Sequence, residues 1–403
     1  MTELAPRPQP LGVLPWPAGM LLLPNTEEAA ELASTLISGE LPEVWPASCA
    51  FVQLALDENP AQAAQSLAGD DLVSQYNRAV LVGGDGVWEP LAERATGELA
   101  ALVQMGMYTV GLRDEAPEVA EATGEIAAMV HSARASAALE RGDATAALAE
   151  LEAGIAASAG LNPILAATLA LTSAQLLRDD FADPMRANDV LDTAIKAVGR
   201  NASGELRGEL HLARGLVRQE LGMENKGFLL PAVNDFTEAA KYFREDSDPE
   251  LFAMINHQLA LAYLVMPMSS EGDRIRVGVA VNSLRAALRV YTPETHPELW
   301  ASTQMNLANA LQYLPSVHQE ENLKEAVDLY EELLQYRNEA TDPLGVARIL
   351  ANQGNALGHL GVFDDAQARL DRARDTFARY DDGDSLAGVE EILASLREAQ
   401  QEA

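Results

Sequence analysis

The chain has 403 residues, 61 of them acidic and 28 basic, which gives a formal net charge of −33 and a sequence pI near 4.4. An acid excess of this size argues against a nucleic-acid ligand and against an anionic membrane surface, since both select basic proteins. Hydrophobic residues make up 48% of the chain and aromatics only 5%, a balance that favours helices packed through small residues over a β-sandwich.

In chain order, residues 1–24 form a Pro-rich leader that reads either as a weakly ordered tail or as a strap lying on the body. Five prolines between Pro6 and Pro17, with an acid at Glu3, spoil a signal peptide. No uninterrupted apolar run reaches the length of about 18 residues that a membrane helix needs. Cys49 is the only cysteine, so there is no intrachain disulfide and the expected location is cytoplasmic.

Residues 25–120 read as a mainly helical N-terminal region. A helix starts at Asn25 or Thr26, with Glu27 and Glu28 suiting its dipole, and ends about Gly39. Pro60 opens another helix and Asp70 or Asp71 caps the next. The apolar runs around Cys49–Leu56 and Ala79–Val82 read as strands as well as helices. Gly83-Gly84-Asp85-Gly86 breaks the chain, and one helix of about 18 residues is expected from Glu89.

From about Glu118 the pattern becomes periodic. Small residues recur at Ala135, Ala174, Ala213, Ala260, Ala308 and Gly354, steps of 39, 39, 47, 48 and 46. A second series, Ala147, Ala187, Ala232, Ala280, Ala326 and Ala366, advances by 40, 45, 48, 46 and 40. Two interleaved series of this period indicate helical hairpins stacked as a solenoid, in which small residues let neighbouring helices approach.

These hairpins resemble the tetratricopeptide repeat. The last matches best, through Gly354, Leu357, Gly361, Phe363, Ala366 and Ala373, and the first through Ala135, Gly142, Ala147 and Gly154. The middle hairpins depart by inserting a few residues near Pro231, Pro267 and Pro315. Pro297–Ala310 is similar to the long-repeat bacterial members. The resemblance implies an all-α, right-handed α-solenoid of about six hairpins over residues 121–380, following the helical N-terminal region and closed by a capping helix in residues 381–403. It specifies fold and says almost nothing about function.

The search for chemistry finds no motif of any specificity. The six histidines are not at metal-ligand spacing, and there is no HExxH, no Walker loop and no GxSxG elbow. Gly83–Gly86, Asp381–Asp384 and Arg141-Gly142-Asp143 read as turns, and Cys49 as a buried small apolar residue. No catalytic residue, cofactor or metal ligand is assigned.

A binding surface remains. In the repeat family the first helix of each hairpin lines the groove, and Asn306 and Asn309 take positions there that Asn352 and Asn355 repeat, with Arg348 one turn before Asn352. Carboxamides offer a donor and an acceptor, which suits the backbone of an extended peptide, although they equally suit bonds between helices. A basic stripe, Arg207, His211, Arg214 and Arg218, runs along one helix face and suits either an acidic partner segment or neighbouring acidic helices. Tyr263, Tyr313 and Trp300 read as core.

The expectation is therefore a non-catalytic scaffold or adaptor that holds a protein or peptide partner, basic overall, in the groove, as an assembly factor or regulator of an enzyme complex. The alternative makes residues 25–120 a small-ligand or catalytic domain regulated by the repeats. A third reading is a homo-oligomeric structural module.

Overall fold

The computed structural model describes residues 8–84, 86–199, 203–267, 273–314 and 318–402, and every regular element among them is helical. Asp85, Pro315 and the first seven positions of the leader lie outside the described residues. The chain forms two compact units, Met1–Glu224 and Asn225–Ala403.

The first unit opens with α1 (Glu27–Ile37), α2 (Ala50–Leu56), α3 (Pro60–Ser66), α4 (Leu72–Val82), α5 (Trp88–Arg94) and α6 (Glu98–Thr109). Local chemistry sets their starts. Thr26 caps α1 by accepting from the Ala29 N–H, Pro60 occupies the first turn of α3, and Asp71 caps α4 by accepting from the Ser74 N–H. The apolar runs that read equally as strands are helical. The single long helix expected from Glu89 is instead two, because Ala95 turns to an extended conformation and Gly97 adopts φ +61°. That break lets the Trp88 ring lie on Gly106, where a Cβ would stand 2.2 Å from the indole.

The leader is a strap. Leu11 and Leu21–Leu23 are buried with the helices around them in one hydrophobic cluster. Buried backbone needs partners, and side chains supply them. Asn77 accepts from the Leu22 N–H at 2.9 Å and donates to the Leu22 carbonyl at 2.8 Å. Gln9 takes the Leu23 N–H at 2.8 Å, Glu125 takes the Gln9 N–H at 3.0 Å, and Asn162 donates to the Leu11 carbonyl at 2.8 Å.

Hairpins follow: α7 (Gly124–Glu140) with α8 (Ala144–Ser158), α9 (Pro163–Asp179) with α10 (Pro184–Val198), and then α11 (Gly204–Glu224). The second unit comprises α12 (Leu229–Ala239), α13 (Pro249–Val265) with α14 (Asp273–Ala287), α15 (Pro297–Tyr313) with α16 (Gln319–Tyr336), α17 (Pro343–His359) with α18 (Phe363–Arg379), and α19 (Gly383–Glu402). Five of these helices begin with Pro in the first turn after Asn162, Asp183, Asp248, His296 or Asp342, a pairing that pre-sets φ and wastes no amide hydrogen.

Within each unit consecutive helices from α2 onward pack, and first helices of successive hairpins also touch: α7 with α9, α9 with α11, α13 with α15, α15 with α17. This is solenoid stacking of tetratricopeptide-like hairpins. All six alanines of the second series have no exposed surface. Of the first series, Ala213 is only partly buried, while Gly354 fits so closely that a Cβ would stand 2.7 Å from Leu370 Cγ and 3.1 Å from the Ala366 carbonyl. On the outer row, ion pairs join neighbouring hairpins: Arg186 with Glu152, Arg285 with Glu325 at 2.8 Å, and Arg369 with Glu331 at 3.2 Å.

Candidate functional site

The groove asparagines fall into two sets. Asn352 donates to Asn309 Oδ1 at 3.0 Å and Asn355 donates to Gln312 Oε1 at 3.0 Å, so both tie α17 to α15. Between them stands Tyr330 of α16, whose hydroxyl donates to Asn309 Oδ1 at 2.5 Å and accepts from Gln312 Nε2 at 2.6 Å. Burial pushes the Tyr330 hydroxyl well above its ordinary pKa, so it stays a neutral donor. Arg348 reaches from α17 to Asp382, before α19, at 3.4 Å.

Asn306 and Asn309 face a cavity of about 230 Å³. Tyr263 and Leu264 of α13, Arg276 and Val277 of α14, and Ala310 and Tyr313 of α15 complete its wall. Asn306 makes no side-chain hydrogen bond among the described residues. The oxygen of Asn309 already accepts two donors, which fixes its amide orientation and leaves the nitrogen without a partner there. Arg276 is directed at the Pro267 carbonyl, 2.8 Å away, and at the Met266 sulfur. Of the aromatic residues expected in the core, Trp300 is buried, packed edge-on to Tyr336 at 5.0 Å, but Tyr313 is 61% exposed at the cavity mouth. It lies at the last position of α15.

The basic stripe on α11 is turned toward acid. Arg214 and Arg218 converge on Asp192 Oδ1 of α10 at 2.6 and 2.9 Å, and Arg218 also donates to Asn188 Oδ1 at 2.9 Å. His211 stands 3.4 Å from Arg214, and Arg207 is half-buried on the same helix.

Further clefts are lined by described residues. In the first unit, about 450 Å³ opens between the strap at Leu22–Asn25, the start of α2 and the start of α4, with Ser48, Asp71, Ser74 and Asn77 as polar lining. Asn77 is committed to Leu22 and Ser74 to Asp71. Burial works to raise the Asp71 carboxyl, but bonds from Ser74 and the backbone outweigh it and hold it below its ordinary value. In the second unit, about 290 Å³ lies between α17 and α19, lined by Asn355, His359 and Glu391 among others. Cys49 is buried, which raises its thiol pKa. No group of three or more His, Cys, Asp or Glu placed to hold a metal ion occurs among the described residues, and no helix there is long and apolar enough to cross a membrane.

The fold is tetratricopeptide-like. No family model matches the sequence, and no curated protein matches it. Among solved structures the chain is similar to the crystal structure of the P58(IPK) TPR domain, at 14% identity over 86% of this chain and 97% of that one, with a TM-score of 0.27. At that level the likeness adds nothing to what the helices themselves establish.

The open Asn306–Asn309 notch has a sequence signal that inspection of the asparagines alone misses. It lies on the preceding first helix, where Leu261 and Leu264 occupy the positions that Asn309 and Gln312 take on α15.

Proposed function

We propose that the protein is a non-catalytic interaction scaffold whose repeat units hold an extended segment of a partner polypeptide. One observation carries this reading: the α13–α14–α15 notch combines the Asn306 carboxamide and the Asn309 amide nitrogen, neither bonded by a side chain among the described residues, with an apolar and aromatic wall. Its volume of about 230 Å³ falls below the several hundred Å³ of a typical small-molecule pocket and suits one or two peptide residues. The net charge of −33 favours a partner that is basic overall. A cytoplasmic location and a role as assembly factor or regulator of an enzyme complex belong to the same proposal.

The test is affinity purification of the full chain from native lysate with quantitative mass spectrometry. The reading expects a partner recovered in near-stoichiometric amount and carrying an excess of Lys and Arg. Recovery of no stoichiometric partner would count against it.

A second reading places a small-ligand site in the first unit, where the cleft of about 450 Å³ at Leu22–Asn77 falls in the size range of such sites. It predicts stabilisation of the purified chain by a low-molecular-weight fraction of lysate, with no protein partner needed.

A further inference from the structure

The α13–α15 step lacks the amide ladder that joins α15 to α17. In the α15–α17 step, the asparagine two positions before the central small residue, Asn352, donates to the residue one position after the centre of the preceding first helix, Asn309. The asparagine one position after the centre, Asn355, donates to the residue four positions after it, Gln312. One hairpin earlier, the equivalent donors are Asn306 and Asn309, and the positions that should accept are Leu261 and Leu264. A leucine side chain accepts nothing. The two amides are therefore present without their rungs, and a cavity stands where the rungs would be.

Resting on the scaffold reading, we infer that this vacant step takes the main chain of one extended, non-acidic stretch of a partner polypeptide, with Asn306 pairing both ways to a single residue and Asn309 donating to a neighbouring carbonyl. The first unit of the same chain shows the chemistry twice. Asn77 pairs with both the N–H and the carbonyl of Leu22 on an extended stretch, and Asn162 donates to the carbonyl of Leu11 at a turn of the same Pro- and Leu-rich strap. Asn306 has both amide groups uncommitted among the described residues and matches the first case. Asn309, its oxygen held by Tyr330 and Asn352, matches the second. Leu264, Val277 and Ala310 provide an apolar floor for the accompanying side chain, and Tyr313 closes one side. An acidic side chain is disfavoured by the chain's own −33.

The test selects short random peptides displayed on phage against the full chain and measures the best binder by fluorescence anisotropy. Asn306→Ala with Asn309→Ala removes three hydrogen bonds to the peptide and should weaken it by roughly tenfold or more. Leu264→Gln offers Asn309 the acceptor that Gln312 offers Asn355, so it should also weaken the peptide while both asparagines remain. Asn355→Ala should change the affinity less than about twofold, because its amide is spent on Gln312 and removing it deletes only about one internal bond. If the double variant fails to fold, judged by circular dichroism, Leu264→Gln decides alone. Enrichment of no peptide would overturn the inference. So would a peptide indifferent to both changes, which leaves the scaffold reading standing with its site elsewhere.

Discussion

Asn77 forms a two-point pair with Leu22, its oxygen 2.9 Å from the backbone nitrogen and its nitrogen 2.8 Å from the carbonyl, fifty-five residues apart in sequence and both buried. A single side chain thus does for the strap what a neighbouring strand would do. Replacing Asn77 by Ala leaves two backbone groups buried without partners, each costing about 1–3 kcal/mol. The expected loss is about 3 kcal/mol in urea unfolding of the whole chain, with Asn77→Asp also destabilising because a carboxylate would face the Leu22 carbonyl. A loss near zero would mean the strap is not held as described.

The second-series alanines set hairpin spacing. Ala326 has no exposed surface and lies at the contact of α16 with its neighbours, so Ala326→Leu should overpack the hairpin and cost about 1–3 kcal/mol or more. Gly354→Ala should destabilise as well, since its Cβ would meet Leu370 at 2.7 Å and the Ala366 carbonyl at 3.1 Å. Thermal unfolding followed by circular dichroism checks both.

The two alanine series made the hairpin architecture legible, because a close helix–helix approach can be met only by small residues and so repeats with the structure. Helix starts were legible for the same kind of reason: Thr26, Pro60 and Asp71 act within four residues of themselves. The strap was readable only as an alternative. Its partners Asn77, Glu125 and Asn162 lie up to 151 residues away, and a buried carboxamide has no local signature. The split of α5 from α6 was missed because Gly97 turns the chain where Trp88 needs to reach Gly106. At the candidate site the asparagines were visible from their spacing, but which of them bond internally depends on the residue one hairpin away.

Arg214 and Arg218 share Asp192, and their side chains are only 12% and 16% exposed. Asp192→Asn removes the charge that both approach and should cost about 1–2 kcal/mol. Capture of a partner by the second unit should be unchanged. A variant with full stability and reduced capture would return the stripe to the list of contact surfaces.

His257 is buried, and burial lowers its pKa below the ordinary 6.5. Thr303 donates its hydroxyl to the Leu299 carbonyl at 2.6 Å, so His257 Nδ1, 2.8 Å from that hydroxyl oxygen, carries the hydrogen of the neutral ring. Folding thus favours the neutral form, and protons bind the unfolded chain first as pH falls below about 6.5. Stability should be unaffected by this residue above that pH and decline below it. His257→Asn should flatten the decline between pH 6.5 and 5 in chemical unfolding curves, and an unchanged slope would contradict the assignment.

The most direct test of the scaffold account is amide hydrogen exchange of the full chain with and without its co-purified partner. The account predicts slowed exchange concentrated in α13, α15 and the start of α14, around Tyr263, Arg276 and Asn306–Tyr313. Protection confined to the first unit, around Leu22–Asn25 and Asp71–Asn77, would contradict it.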